Sequence, residues 1–178
     1  MIEIIDGALT KKAYNSLLAQ IACGPFCDET NDIDGVVYPL ICKAVPEVVS
    51  CEVDQILPID YSVEFLRSSP EGVHCPNPVH HDFSMGRWSV MLYTSSIGGT
   101  AIMRHKETGI CSAPDSPDFV NIIANDSANT DAWEVLYMAE AKPNRMVIFD
   151  ARLMHAAMPF GGFGKGVSAR TVYTRFAG

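Results

Sequence analysis

The sequence lacks the features that mark membrane proteins and disulfide-rich secreted proteins. No stretch approaches the roughly 18 apolar residues of a membrane-spanning helix, and the N-terminal run M-I-E-I-I-D-G carries acid where a signal peptide carries base. The six cysteines are irregularly spaced, without a C-x-x-C pair. Such cysteines are typical of reduced thiols, so we expect a cytoplasmic protein with neither a disulfide framework nor a structural zinc site.

Basic residues are also few, because 13 Lys and Arg stand against 21 Asp and Glu, for a formal net charge of −8. This balance provides no broad positive surface, so we expect binding to neither nucleic acid nor an anionic membrane. Charged residues make up 19% of the chain and hydrophobic residues 48%, which permits a buried core and excludes wholesale disorder. The 178 residues contain no internal repeat or linker, so we expect one domain over 1–178. The oligomeric state stays open.

Two patterns divide the chain near residue 50. After Thr10, which fits a helix N-cap, apolar residues recur at helical spacing as far as Gly24-Pro25. A short strand over 2–5, a polar turn-rich stretch over 27–35 and an ambiguous segment over 38–49 complete this part. We therefore expect 1–50 to form a mainly helical support.

From residue 51 onward the sequence is rich in short β-like segments that Gly and Pro separate. The predicted strands are 51–57, 61–67, 87–95, 100–105, 133–141, 145–149, 154–158 and 169–176. The long connection 106–131 is predicted to hold one short helix near 119–124. Helical patterns between strands, which a parallel sheet needs, are missing from this half. The sequence thus predicts a mainly antiparallel β protein with flanking helices, a double-stranded β-helix (jelly roll, cupin-like) over 51–178.

The segment P-V-H-H-D at 78–82 carries the clearest chemistry. In an extended chain His80 and Asp82 project to the same face, whereas His81 points the other way. His155 is the best third candidate, because a histidine within the apolar run L-M-H-A-A needs a partner, and a metal supplies one. Two imidazoles and one carboxylate form the facial triad of non-haem Fe(II) oxygenases, which leaves three coordination positions for a bidentate co-substrate and dioxygen.

A strand with two arginines follows the third histidine. Arg170 opens the segment A-R-T-V-Y-T-R-F at 169–176, and an inward guanidinium there is suited to grip the far carboxylate of a dicarboxylic acid. Arg175 has the opposite strand parity, so only one of the two faces the pocket.

Together these segments resemble the Fe(II)/2-oxoglutarate-dependent dioxygenases, in particular their small prolyl-hydroxylase-like branch, over about residues 60–176. The matching motifs are H-H-D at 80–82, G-R-W-S-V-M-L-Y at 86–93, G-G-T at 98–100, N-R-M-V-I-F-D-A-R-L-M-H at 144–155 and A-R-T-V-Y-T at 169–174. The resemblance implies His80, Asp82 and His155 as catalytic iron ligands. It also implies Arg170 and Tyr93 as residues that bind the 2-oxoglutarate carboxylate.

The function implied by this resemblance is oxidation by an Fe(II)- and 2-oxoglutarate-dependent hydroxylase. Such an enzyme hydroxylates an unactivated C–H bond of an amino-acid, peptidyl or small-metabolite substrate and releases succinate and CO2. The chain departs from prolyl hydroxylases in the loop 159–168, which is longer and richer in glycine. Two alternatives stay open: a cupin-type metalloenzyme that does not use 2-oxoglutarate, and a non-catalytic jelly-roll module that binds a small ligand. Cupin-type enzymes often use more histidines, and the sequence contains no H-x-H.

Overall fold

A computed structural model describes residues 1–33, 36–71, 78–113, 125–160, 163–164 and 169–178. These residues form ten β-strands, two α-helices and one short 3₁₀ helix (Thr130–Ala132). In chain order the helices and strands are β1 (Ile2–Asp6), α1 (Lys11–Ala22), β2 (Cys27–Ile33), β3 (Val36–Lys43), α2 (Glu47–Ile56), β4 (Tyr61–Ser69), β5 (Trp88–Tyr93), β6 (Gly99–His105), β7 (Trp133–Glu140), β8 (Arg145–Asp150), β9 (His155–Met158) and β10 (Arg170–Ala177).

The strands form two antiparallel sheets, which confirms the predicted jelly-roll architecture. The large sheet has the order β1-β8-β5-β10-β4-β3-β2, and the small sheet has the order β7-β6-β9. Apolar residues from both sheets form a core between them: Tyr93, Val147, Phe149 and Val172 from the large sheet, with Ile102 and Ala139 from the small sheet. The face of the large sheet that carries this core is called the inner face below.

The two helices cover the opposite, outer face of the large sheet. Thr10 caps α1 as predicted, because its hydroxyl accepts a hydrogen bond from the Ala13 amide at 3.3 Å. At the other end of α1, the ammonium group of Lys43 lies 2.6–3.1 Å from four backbone carbonyl oxygens of residues 20–24. The ammonium group thus donates hydrogen bonds to carbonyls that a helix leaves unpaired at its C-terminus, and its positive charge stabilises that end of the helix.

Two segments differ from the sequence prediction. Residues 51–57 were predicted as a strand, but most of them belong to α2. Val49 and Val53, one helical turn apart, are both fully buried against the outer-face core, so tertiary packing overrides their β-propensity. Residues 27–33, predicted as a polar turn-rich stretch, form β2 at the edge of the large sheet. An edge strand has one unpaired side and accepts a polar sequence.

The N-terminal part of the chain contributes strands as well as helical support. β1, β2 and β3 all belong to the large sheet, and residue 50 lies within α2. The single domain over 1–178 stays a prediction. The short helix predicted near 119–124 and most of the loop 159–168 lie outside the described residues. Neither α-helix of the described ranges is long and apolar enough to cross a membrane.

Candidate active site

Backbone pairing brings His80, Asp82 and His155 together. His80 and His155 form an isolated antiparallel bridge, with N–H···O distances of 3.0 and 2.8 Å between their main chains. The Asp82 amide donates to the Ala151 carbonyl at 2.8 Å, so the extended segment continues along the same edge. Residues opposite each other in an antiparallel pair share a face, as do residues i and i+2 of one strand. All three side chains therefore point to one spot, as the H-x-D spacing predicts.

The donor atoms of these three residues converge. One ligand atom from each lies within 4.8 Å of the others. His155 Nε2 lies 3.1 Å from Asp82 Oδ2, and His80 Nε2 lies 3.7 Å from Asp82 Oδ1. His155 and Asp82 are buried, whereas the His80 side chain is 30% exposed. The site thus has a closed side toward the core and a more open side at His80.

Neighbouring groups fix the orientation of all three side chains. His80 Nδ1 lies 3.2 Å from the Pro78 carbonyl, and His155 Nδ1 lies 2.9 Å from the Leu153 carbonyl. A proton on Nδ1 of each ring satisfies these carbonyls and leaves Nε2 with its lone pair facing Asp82, the arrangement common for metal-ligating histidines. The Ser89 hydroxyl donates to Asp82 Oδ2 at 2.9 Å, which orients the carboxylate.

The electrostatics of the cluster favour a positive charge between its members. Burial lowers the pKa of His80 to about 4, with a further contribution from His155, so this ring is neutral at pH 7. Burial by itself raises the pKa of Asp82, but the His155 imidazole, with His80 and Ser89, holds that pKa below its usual range. Burial likewise opposes the protonation of His155, yet Asp82 raises its pKa above the ordinary value. A cation placed beside Asp82 is stabilised in the same way.

The hydrogen bonds around His155 support a metal ion as that cation. Its Nε2 is fully buried and has no hydrogen-bond partner within the described part of the chain, although Asp82 Oδ2 is only 3.1 Å away. The two atoms lie close without the alignment of a hydrogen bond, and a buried polar atom without a partner is costly. A shared metal ion satisfies both atoms. Two imidazole nitrogens and a carboxylate oxygen are a donor set that suits ferrous iron.

A second polar group lies on the inner face of β10. Arg170 is 5% exposed, and its guanidinium lies over the rings of Tyr93 and Phe163, at 5.6 and 5.4 Å from their centres. The guanidinium donates a long hydrogen bond, 3.3 Å, to the Gly99 carbonyl, and its Nε is buried without a hydrogen-bond partner among the described residues. Burial lowers its pKa to about 10, so the group stays charged at pH 7. A buried cation without a carboxylate partner is a binding site for an anion.

Tyr93 lies on β5, beside Arg170. Its hydroxyl group lies 2.7 Å from Thr100 Oγ1 and 3.4 Å from the Ala139 carbonyl. Burial raises the pKa of this phenol, so it stays neutral at pH 7. The ring forms one wall of the Arg170 pocket, and the hydroxyl is anchored to the small sheet.

Arg175 has a different role, as strand parity predicts. It faces the outer side of the large sheet, where Nη1 lies 2.5 Å from Asp54 Oδ1 and Nη2 lies 2.8 Å from Glu64 Oε2. Because its charge is already paired, Arg175 is not available to a ligand. Between the two arginines, the structure places only Arg170 on the inner face.

Sequence patterns did not predict two further contacts of the site. Ser89 orients Asp82, and Phe163 packs on Arg170. Ser89 shares strand parity with Tyr93 on β5, so the period of two already places it on the inner face. Phe163 comes from the glycine-rich loop, for which the sequence has no periodic signal.

Comparison with known proteins gives structural similarity only. The sequence matches no protein-family profile, and no curated protein matches it. Among solved structures, AviO1 from Streptomyces viridochromogenes Tue57 superposes with a TM-score of 0.56 at 12% identity, over 99% of this chain and 89% of AviO1. HygX from Streptomyces hygroscopicus, solved with nickel and 2-oxoglutarate bound, superposes with a TM-score of 0.58 at 10% identity, over 98% of this chain and 81% of HygX. A prolyl-4-hydroxylase from Pseudomonas putida superposes with a TM-score of 0.52 at 14% identity, over 99% and 92%.

The chain has the fold of these three proteins. The similarity extends over nearly the whole of this chain and most of each of the three neighbours. At 10–14% identity it establishes the jelly roll and not the reaction. The chemistry must therefore be argued from the site itself.

Proposed function

We propose that the protein is an Fe(II)- and 2-oxoglutarate-dependent dioxygenase that hydroxylates an unactivated C–H bond of an amino-acid, peptidyl or small-metabolite substrate. The observation that carries this proposal is the pairing of two sites inside one jelly roll: a His80–Asp82–His155 donor cluster, and a buried Arg170 guanidinium that has no acidic partner among the described residues. The first suits ferrous iron, and the second suits a carboxylate. An anionic co-substrate that chelates the metal and carries a distal carboxylate needs both.

His80 Nε2, an oxygen of Asp82 and His155 Nε2 would hold the iron. Bound iron(II) with 2-oxoglutarate supplies the activation of dioxygen, which overall converts 2-oxoglutarate to succinate and CO2. The Pro78 and Leu153 carbonyls keep both Nε2 lone pairs turned toward the metal position. Ser89 keeps one oxygen of Asp82 engaged. The 30% exposure of the His80 side chain leaves that side open for substrate entry.

Arg170 would hold the distal carboxylate of 2-oxoglutarate. Its guanidinium loses most of its water on folding, and among the described residues no acidic side chain replaces that water. Tyr93 and Phe163 flank the group and exclude solvent, so an ion pair formed there is stronger than one at the surface. The same dry surroundings protect a reactive oxidant from side reactions.

A second outcome of the same chemistry also has support. One structural neighbour is described as a non-haem, α-ketoglutarate-dependent carbocyclase, with a TM-score of 0.51 at 10% identity. Ring formation is therefore a second reaction that an enzyme of this fold carries out, besides the addition of a hydroxyl group. The cupin-type alternative without 2-oxoglutarate gives no role to the unpaired Arg170, and the binding-module alternative gives none to the metal donor cluster.

The test of the proposed function is Asp82→Asn. This change keeps the shape of the side chain but removes the negative charge of the triad, so Fe(II) affinity and succinate release should both fall by at least about 100-fold. The measurement is succinate formed from 2-oxoglutarate under air by the Fe(II)-loaded protein, with dioxygen uptake followed in parallel. Near-normal succinate release by Asp82→Asn, or none by the wild type, contradicts the proposal.

A further inference from the structure

Arg67 is a second arginine on the inner face of the large sheet. It lies on β4 opposite Val172 of β10, which belongs to the core between the sheets. Its neighbour Leu66 belongs to the outer-face core, so alternation turns Arg67 inward. Arg170 lies opposite Ser69 on the same strand pair. The two arginines are therefore diagonal neighbours, with an expected separation of about 7–8 Å, which is within reach of long side chains.

Arg67 is close enough to Arg170 to affect it electrostatically. Burial lowers the pKa of Arg170, and the positive charge of Arg67 contributes in the same direction. Arg67 is half-buried, whereas Arg170 is buried. Arg67 thus lies beside Arg170 on the inner face and is the more exposed of the two.

Arg67 has no partner of its own among the residues that the structure describes. Three other arginines pair with carboxylates: Arg104 with Glu134, Arg145 with Asp6, and Arg175 with Asp54 and Glu64. No hydrogen bond or ion pair joins Arg67 to any described residue. A long inward side chain that is only partly in water and lacks an acceptor is available to a ligand.

The charges of the site leave one positive charge for the substrate. Under the proposed function, the two positive charges of iron(II) and the one on Arg170 are balanced by Asp82 and the two carboxylates of 2-oxoglutarate. Arg67 then adds one further positive charge, which no acidic group among the described residues compensates. A monoanion restores neutrality, whereas a phosphate monoester with about two negative charges reverses the sign. The planar guanidinium also matches a carboxylate in a two-pronged contact.

We propose that Arg67 binds a carboxylate of the substrate, so that the substrate class of this enzyme is monocarboxylates. The inference rests on the proposed function and names the substrate class for the same site. Arg170 holds the co-substrate in the buried pocket, and Arg67 holds the substrate at the more open side. Its role is to position the substrate, with no part in metal binding.

The test compares carboxylates with their uncharged amides. The probes are benzoate, N-acetylglycine and N-acetyl-L-leucine, each with its primary amide, titrated calorimetrically into protein loaded with Mn(II) and 2-oxoglutarate. The wild type should bind at least one carboxylate at least tenfold more tightly than its amide. Arg67→Gln should abolish that preference and leave 2-oxoglutarate affinity within about threefold, and Arg67→Lys should keep part of the preference. Arg104→Gln, at an exposed arginine outside the site, is the matched control and should behave as wild type.

Each other result overturns the inference in a recognisable way. Absence of a carboxylate preference in the wild type, or its persistence in a folded Arg67→Gln protein, contradicts a substrate role for Arg67. Loss of 2-oxoglutarate affinity in Arg67→Gln as large as in Arg170→Gln shows that Arg67 holds the co-substrate instead. If the wild type fails to bind 2-oxoglutarate at all, the proposed function fails. The carboxylate and amide titrations without 2-oxoglutarate then still decide the role of Arg67.

Discussion

The histidines of the donor cluster differ in how much of the fold depends on them. His155 is 2% exposed and packs edge-on against Phe149, with ring centres 4.8 Å apart, whereas the His80 side chain is 30% exposed. Each ring donates from Nδ1 to a backbone carbonyl two residues earlier in its own chain. These local contacts hold the rings in place before any ligand binds.

We expect His80→Ala to remove metal binding with little effect on folding. Loss of one of three ligands should weaken Mn(II) affinity by more than the 10–100-fold typical of losing an outer-sphere partner. Calorimetric titration of Mn(II) and thermal unfolding of the metal-free protein measure the two effects.

The control is His105→Ala, because His105 is buried beside Trp133 and lies 3.2 Å from Asp126, outside the cluster. That variant should lose stability and keep metal affinity. Wild-type Mn(II) affinity in His80→Ala refutes its ligand role.

Arg175 is predicted to act on stability and not on ligand binding. Its guanidinium is completely buried and joins Asp54 of α2 to Glu64 of β4. Arg175→Ala leaves Glu64, whose side chain is 12% exposed, without its cation, and breaking such a buried pair costs about 3–5 kcal/mol in the free energy of unfolding. Chemical denaturation measures this loss. An unchanged unfolding midpoint, or a selective loss of 2-oxoglutarate affinity, contradicts the assignment.

At the scale of elements, the turn between β5 and β6 supports the Arg170 pocket. Gly98 has φ +69°, and a Cβ placed there would lie 1.9 Å from the Met158 carbonyl oxygen and 3.0 Å from the Phe163 ring. Gly99 offers its carbonyl to Arg170. The turn therefore needs glycine at 98 both for its backbone conformation and for the close approach of β9.

We expect Gly98→Ala to destabilise the fold and to disturb the pocket. The clash is with backbone, so β9 or the turn must shift, at a cost of about 1–3 kcal/mol beyond the conformational strain. Gly109→Ala is the matched control, because Gly109 also has a positive φ, +73°, but no atom within 4 Å of the added Cβ. Thermal unfolding compares the two variants. If Gly98→Ala and Gly109→Ala lose the same amount of stability, the close approach of Met158 to residue 98 does not contribute to the cost, which contradicts the prediction.

Most strands that bury one face were predictable from the sequence, whereas α2 and β2 were not. β5, β6, β8, β9 and β10 match predicted strands, because apolar and β-branched residues mark their buried surfaces. α2 was predicted as a strand because the valines in E-V-V-S-C-E-V favour both structures, and only packing against β4 and β5 decides between them. β2 has a polar sequence and becomes a strand by pairing with β3. Pairing partners of that kind carry no local signal.

Part of the candidate site was predictable from strand periodicity, and part of it was not. The period of two placed His80 and Asp82 on one face and separated Arg170 from Arg175, and the structure has the same arrangement. The contribution of Ser89 to the carboxylate and of Phe163 to the guanidinium depends on how separate elements meet. The position of Arg67 next to Arg170 also depends on how separate elements meet, because nothing near Arg67 in sequence shows that β4 pairs with β10.

For the whole molecule, the two sheets hold different parts of one site. The small sheet and the segment paired with its edge strand carry His80, Asp82 and His155, while the large sheet carries Tyr93, Arg170 and Arg67. The core between them, around Ile102, Phe149 and Val172, fixes their separation. A co-substrate that bridges metal and guanidinium therefore also links the sheets, and it should stabilise the folded protein by mass action.

The central claim is that the donor cluster and Arg170 bind one molecule of 2-oxoglutarate between them. Anaerobic titration of 2-oxoglutarate into Fe(II)-loaded protein, followed by the visible charge-transfer band of the chelate, tests it most directly. The account predicts a band in the wild type and a 2-oxoglutarate affinity lower by about thirty- to several-thousand-fold in Arg170→Ala, from a loss of about 2–5 kcal/mol. Arg170→Lys should recover only part of this affinity, and Fe(II) affinity should stay unchanged. No band in the wild type, or equal 2-oxoglutarate affinity in wild type and Arg170→Ala, would contradict the account.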